Sequence, residues 1–157
     1  METFNPTRNI GYLLQHLSSV LAKQSDQILS ERLGIGFSQF KILMVLQANP
    51  KTRQNHIAER LGQTEASISR QIKLMHDKGL LQTAINPTNR REHVTTPTPK
   101  GLRLADEAMN VLNNYHGPMF DHLNSRQREQ LLESLSIMHQ TACQPGRIGS
   151  CDHPFNT

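Results

Sequence analysis

Two short stretches of helical periodicity, separated by three residues between Thr52 and Lys78, constrain the fold more than any other feature of the chain. In the first, Ile57, Ala58 and Leu61 share one face, and Thr52 is placed to cap its start. Gly62 supplies the conformational freedom that a sharp turn needs. Thr64 then caps a second stretch in which Ile68, Ile72 and Met75 recur at spacings of four and three, and Gly79 closes it. A chain that buries both faces at once must cross the two helices steeply, which is the spacing of a helix-turn-helix.

The flanks frame this pair. Ile10, Leu14, Leu17 and Leu21 fall on one side of a long helix over roughly 8 to 33, and Ile28, Leu29 and Leu33 continue the stripe. After Gly34 and Gly36, Ser38 is expected to cap a second helix in which Phe37 staples against Ile42, while Leu43, Val45 and Leu46 enter the core. From Leu80 the residues turn β-type, with Leu80 to Ile85 and Glu92 to Thr96 as two arms around the turn cluster Asn86 to Asn89. Thr98 and Pro99 open another helix, Gly117 and Pro118 are expected to interrupt it, and Asn124 with Gln127 forms a capping box for the last one.

The expected fold is therefore mainly α with a small β-hairpin. A winged helix-turn-helix core over about 37–97 is flanked by helices over about 8–33 and 98–142, all within one domain spanning 1–143. The terminal helices carry more apolar surface than so small a core can cover, and a two-fold helical bundle with a second copy of the chain is the natural solution. The tail from 144 to 157, rich in Gly, Pro, Ser and Asn, is expected to be flexible.

Composition narrows the function classes. Lys and Arg outnumber Asp and Glu by 17 to 13, a net +4 that favours an anionic partner. No apolar run approaches the about 18 residues of a membrane span, and the segment from Met1 to Asn9 lacks the apolar core of a secretory signal, so a cytoplasmic protein is expected. Cys143 and Cys151 are too few and too peripheral for a disulfide framework. With His139 and His153 they offer zinc-type donors, but at no recognised ligand spacing, so neither a metal nor another cofactor is expected. A redox role for the two thiols is the other reading of that set. Nothing in the sequence assembles a nucleophile with its base or a phosphate-cradling loop, so catalysis is not expected.

The chemistry concentrates on the second helix of the pair. Opposite its buried stripe it presents Gln63, Ala66, Ser67, Arg70, Lys73 and Asp77, with the capping Thr64 at its start. Short side chains at its start let the backbone approach DNA, Thr64 and Ser67 can donate to phosphate, and Arg70 can offer two donors to a guanine edge. Arg90 and Arg91 beside the hairpin tip are suited to the narrow minor groove. Each feature alone is more often a solvated surface. Together they point to double-stranded DNA, with a winged-helix protein-interaction module as the alternative.

The stretch from Ile10 to Met138 resembles the MarR family of bacterial transcriptional regulators. The likeness is carried by His56-Ile57-Ala58-Glu59-Arg60-Leu61-Gly62, Ser67-Ile68-Ser69-Arg70, Lys78-Gly79-Leu80-Leu81, Asn86-Pro87-Thr88-Asn89-Arg90-Arg91 and Thr98-Pro99-Lys100-Gly101. It implies a homodimer whose recognition helices enter successive major grooves of a pseudo-palindromic operator, each wing arginine entering the minor groove. It also implies a repressor released by a small aromatic effector or a redox signal. Tyr12 and His16 are the candidate effector ligands, with Ser19 and Lys23 nearby on the first helix. Three positions depart from the family pattern: Asn89 stands where an acid usually precedes the arginines, Pro97 where leucine is common, and Gln63 where the turn is usually apolar.

Overall fold

A computed structural model describes residues 5–144, the side chain of Arg91 excepted. The long helix α1 (Ile10–Leu33) is capped by Asn9 and ends at Gly34 in the left-handed region, φ 65°. Then come α2 (Phe37–Ala48), the short strand β1 (Thr52–Arg53), α3 (Gln54–Leu61) and α4 (Glu65–Asp77). Strands β2 (Leu81–Asn86) and β3 (Asn89–Pro97) precede α5 (Pro99–Asp121) and α6 (Ser125–Ala142). The sheet is antiparallel in the order β1-β3-β2. Six helices with a small antiparallel sheet make the expected winged-helix architecture. The sheet gains a strand that the sequence did not announce.

That strand corrects the reading of Thr52. Rather than capping α3, it pairs with Thr95 of β3, is buried, and donates its hydroxyl to Asn49 O at 2.6 Å. Arg53 takes the cap position of α3 and makes no side-chain cap bond. Ser38 is not a cap either. Helix α2 starts two residues earlier because Asp26 of α1 reaches across and accepts the Phe37 N–H at 2.8 Å, a cap supplied from outside the helix. Freed of that task, Ser38 donates to Gln63 Oε1 at 3.2 Å, which gives the polar turn residue its partner.

Pro118 does not end α5, which runs on to Asp121. Proline disfavours helix in the preceding residue by clashing with its Cβ, and Gly117 has none. The other local signals hold. Thr98 accepts the Gly101 N–H with Pro99 in the first turn, and Asn124 and Gln127 complete a reciprocal capping box on α6.

The core lies where α2, α3, α4 and the sheet meet the middle of α5. Leu29, Ile42, Leu43, Leu46, Ile57, Ile68 and Met75 are fully enclosed there, joined by Leu80, Leu81, Ala105 and Ala108. The junction of lobe and α5 is close. Thr98 Oγ1 donates to Gly79 O at 2.7 Å, and Gly101 is packed so tightly that a Cβ would run into the Leu80 carbonyl. By contrast α6 buries no residue, and the first half of α1 leaves Ile10, Leu13 and Leu17 exposed. Among the described residues no helix is long and apolar enough to cross a membrane.

Candidate nucleic-acid interface

Helix α4 begins cleanly. Thr64 Oγ1 accepts the Ser67 N–H at 3.2 Å, and Glu65 in the first turn complements the helix dipole. Gly62, at φ 60°, makes the preceding turn, and Gln63 N donates to Ala58 O at 3.0 Å to finish α3. With Ile68, Ile72 and Met75 anchored in the core, the opposite face is fixed. Thr64, Ala66, Arg70 and Lys73 are exposed on it, and Ser67 is half-buried at its edge. Among the described residues, Arg70 and Lys73 pair with no acid.

The placement of α4 also depends on α2. Gln39, buried on α2, donates to Gln71 Oε1 of α4 at 3.0 Å. At the C-terminal end, Lys78 Nζ donates to Gly34 O at 2.9 Å and Lys100 Nζ to Lys78 O at 2.8 Å. The helix is thus held at its middle by a side chain of α2 and at its C-terminal end through Lys78. Periodicity alone gave no sign of these contacts.

The wing is a hairpin whose tip is the pair Pro87–Thr88, shaped by Asn86 Oδ1 accepting from Thr88 N at 3.1 Å and Thr88 Oγ1 at 2.8 Å. Arg90 is exposed beside that tip. Arg91 follows it in β3, and its side chain lies outside the described set. No acid precedes the arginines, but one follows. Glu92 accepts from Arg53 Nη1 at 3.1 Å and from Asn86 Nδ2 at 3.0 Å, a pairing that was missed because its partner lies 39 positions away.

Tyr12 and His16 stack on each other on the exposed side of α1, ring centroids 5.8 Å apart, and neither lines the cleft between α1, α2 and α5. The concave site nearby is a cleft of about 940 Å³ between α1, α2 and α5. Its walls are mostly apolar, with Leu17, Leu21, Phe37 and Phe40 prominent. Its polar groups are Ser18, Asn113, Lys41, whose Nζ sits 5.2 Å from the Phe37 ring centre, and the pair Ser25–His116, Oγ to Nε2 at 3.0 Å. Ser25 and His116 are 91 positions apart, beyond the reach of any local pattern.

Among the described residues, no three of His, Cys, Asp and Glu cluster as metal ligands. Cys143 closes α6 with its N–H on His139 O at 2.8 Å, while Cys151 and His153 lie outside the described residues.

Residues 33–92, which span α2 to the wing, match the MarR family model. The match to that family lies within this lobe. Comparison with curated proteins finds no match. Solved structures of the same fold include a MarR-family transcriptional regulator from Rhodococcus sp. RHA1, at 20% identity and TM-score 0.75, covering 87% of this chain and 96% of that one. CouR from Rhodococcus jostii RHA1, bound to p-coumaroyl-CoA, matches at 18% identity and TM-score 0.74, covering 93% and 99%. The transcriptional repressor CouR on a 23-mer DNA duplex matches at 22% and 0.74, covering 88% and 97%. Near-complete coverage on both sides extends the likeness beyond the lobe to the MarR fold with its flanking helices.

Proposed function

We propose that this protein is a transcriptional regulator of the MarR type that binds double-stranded DNA as a homodimer. The carrying observation is the exposed, unpaired cationic face of α4, Arg70 and Lys73 behind the short residues Thr64, Ala66 and Ser67, beside a hairpin that exposes Arg90. In this reading α4 enters the major groove, with Arg70 on a base edge and Thr64, Ser67 and Lys73 on phosphates. Arg90 or Arg91 enters the minor groove. A like-folded repressor bound to a DNA duplex supports it.

The second subunit is proposed from the apolar side chains of α6 and of the first half of α1, which stay exposed among the described residues. Two lobes joined through those helices place two copies of α4 on successive turns of a pseudo-palindrome. The action proposed is repression, relieved by a small aromatic effector. The cleft between α1, α2 and α5 suits that ligand better than the Tyr12–His16 stack, because it is concave and apolar with a few convergent polar groups. A working place in the cytoplasm follows from the same role.

The test is to recover the duplexes that the protein selects from a random pool. Two half-sites about ten base pairs apart, centre to centre, are expected. Log affinity falls linearly with log salt, by about 0.9 per phosphate neutralised. Arg70→Ala loses about 1 to 3 kcal/mol at one base position and little elsewhere. A protein that leaves duplex DNA unbound at low ionic strength would instead be an interaction module, and the proposal would fail.

A further inference from the structure

We propose that Glu92 is the residue that positions the wing, aiming the paired arginines from a brace anchored on the helix-turn-helix. The proposal rests on the DNA-binding reading above. Its ground is the register of the hairpin. Ile85 pairs with His93, yet the next residue, Asn86, pairs with Asn89. Arg90, Arg91 and Glu92 therefore face no partner on β2, and the ladder breaks where the cations sit. Backbone pairing alone does not fix the direction in which that segment points.

A line of side chains spans the break. Glu92 Oε1 takes the Arg53 Nη1 donor at 3.1 Å, and Oε2 takes Asn86 Nδ2 at 3.0 Å. Arg53 ends β1 and occupies the cap position of α3, so one end of the line is fixed to the helix pair. At the other end Asn86 holds the tip through the Thr88 amide and hydroxyl. Both carboxylate oxygens are used, on donors from two different elements, and Glu92 is itself half-buried. The position two residues before it on β3 is Arg90, whose approach to DNA the brace directs.

This role has an unusual sign. On charge alone, removing an acid next to two arginines strengthens binding to a polyanion. A positioning acid does the reverse, because its loss leaves the arginines undirected and adds an ordering cost on binding. Gln has one acceptor and one donor group at its tip, so Glu92→Gln can satisfy Arg53 or Asn86 but not both.

The experiment measures affinity for the duplex that the wild-type protein selects, at fixed salt, for wild type, E92Q, the R90A/R91A double variant and the triple combination, with thermal melting of each. Expected are an unchanged melting temperature for E92Q, roughly fivefold weaker binding, and no further loss when E92Q is added to R90A/R91A. Hydrogen exchange without DNA should quicken at residues 86–92 in E92Q and stay unchanged in α4. Binding by E92Q equal to or tighter than wild type overturns the brace, as does an equal loss with and without the wing arginines. A wild-type protein that binds no duplex fails at the level of the DNA-binding reading itself and takes the brace with it.

Discussion

The winged-helix lobe and the flanking helices are built from similar sequence patterns and bury them in opposite ways. In the lobe, Leu46, Ile57, Ile68 and Met75 are completely enclosed by residues of the same chain. In the flanks, Ile10 remains 69% exposed and Leu132 68%, and none of the residues of α6 is buried. Amphipathic periodicity specifies that a face will be covered; it does not specify by which chain. Large exposed apolar patches are characteristic of partner sites. The lobe closes its core within one subunit, and the proposed homodimer is what would cover α6 and the first half of α1.

The largest expected effects test that contrast directly. Leu46→Ala, at a fully enclosed site, should lower unfolding stability by about 2 to 5 kcal/mol, from lost transfer energy plus the cavity left behind. Replacing both Leu132 and Leu135 by Lys should leave the fold of a single subunit intact, since both side chains are exposed within it. The assembly should instead dissociate, as read by sedimentation, and the melting temperature should cease to depend on protein concentration. Should the double lysine variant sediment like the wild type, the flanks are not the interface, and the distinction between the two regions fails.

The next effect tests the seam between them. Gly101 lies at the start of α5, where the helix approaches the Leu80 carbonyl that also accepts the Thr98 N–H at 3.0 Å. In an open helix Gly→Ala stabilises, because alanine has the higher helix propensity. Here the added methyl meets backbone, which cannot swing aside like a side chain, so Gly101→Ala should destabilise by about 1 to 3 kcal/mol in urea unfolding. A stabilised variant would show that the lobe and α5 are less tightly joined than their packing implies.

Legibility in the sequence follows the same division between near and distant partners. Thr64, Thr98 with Pro99, and Asn124 with Gln127 act on backbone groups within three residues, and those caps were readable one by one. Thr52 and Ser38 are the same residue types with the same local credentials, yet strand pairing to Thr95 claims the first and Asp26 displaces the second. Nothing local separates the two groups; the competing contact comes from elsewhere in the fold. The α4 face was legible because Ile68, Ile72 and Met75 fix its rotation. Arg53–Glu92 and Ser25–His116 were not, because each pair meets only after the sheet or the α1–α5 packing has formed.

The smallest effect separates two duties proposed for one residue. Thr64 caps α4 through the Ser67 N–H, and the proposed DNA-binding role adds a phosphate contact. Thr64→Ala should cost about 1 kcal/mol in stability through the cap alone. Thr64→Asp restores an acceptor and adds a favourable charge at the helix start, so the protein should regain its stability in thermal melts. If the residue also faces phosphate, the same carboxylate repels DNA, and affinity for the selected duplex should fall below that of the alanine variant. Stability and binding then move in opposite directions between Ala and Asp. Parallel movement of the two would mean that Thr64 serves the helix only, and that phosphate contact at this end of α4 falls to Ser67.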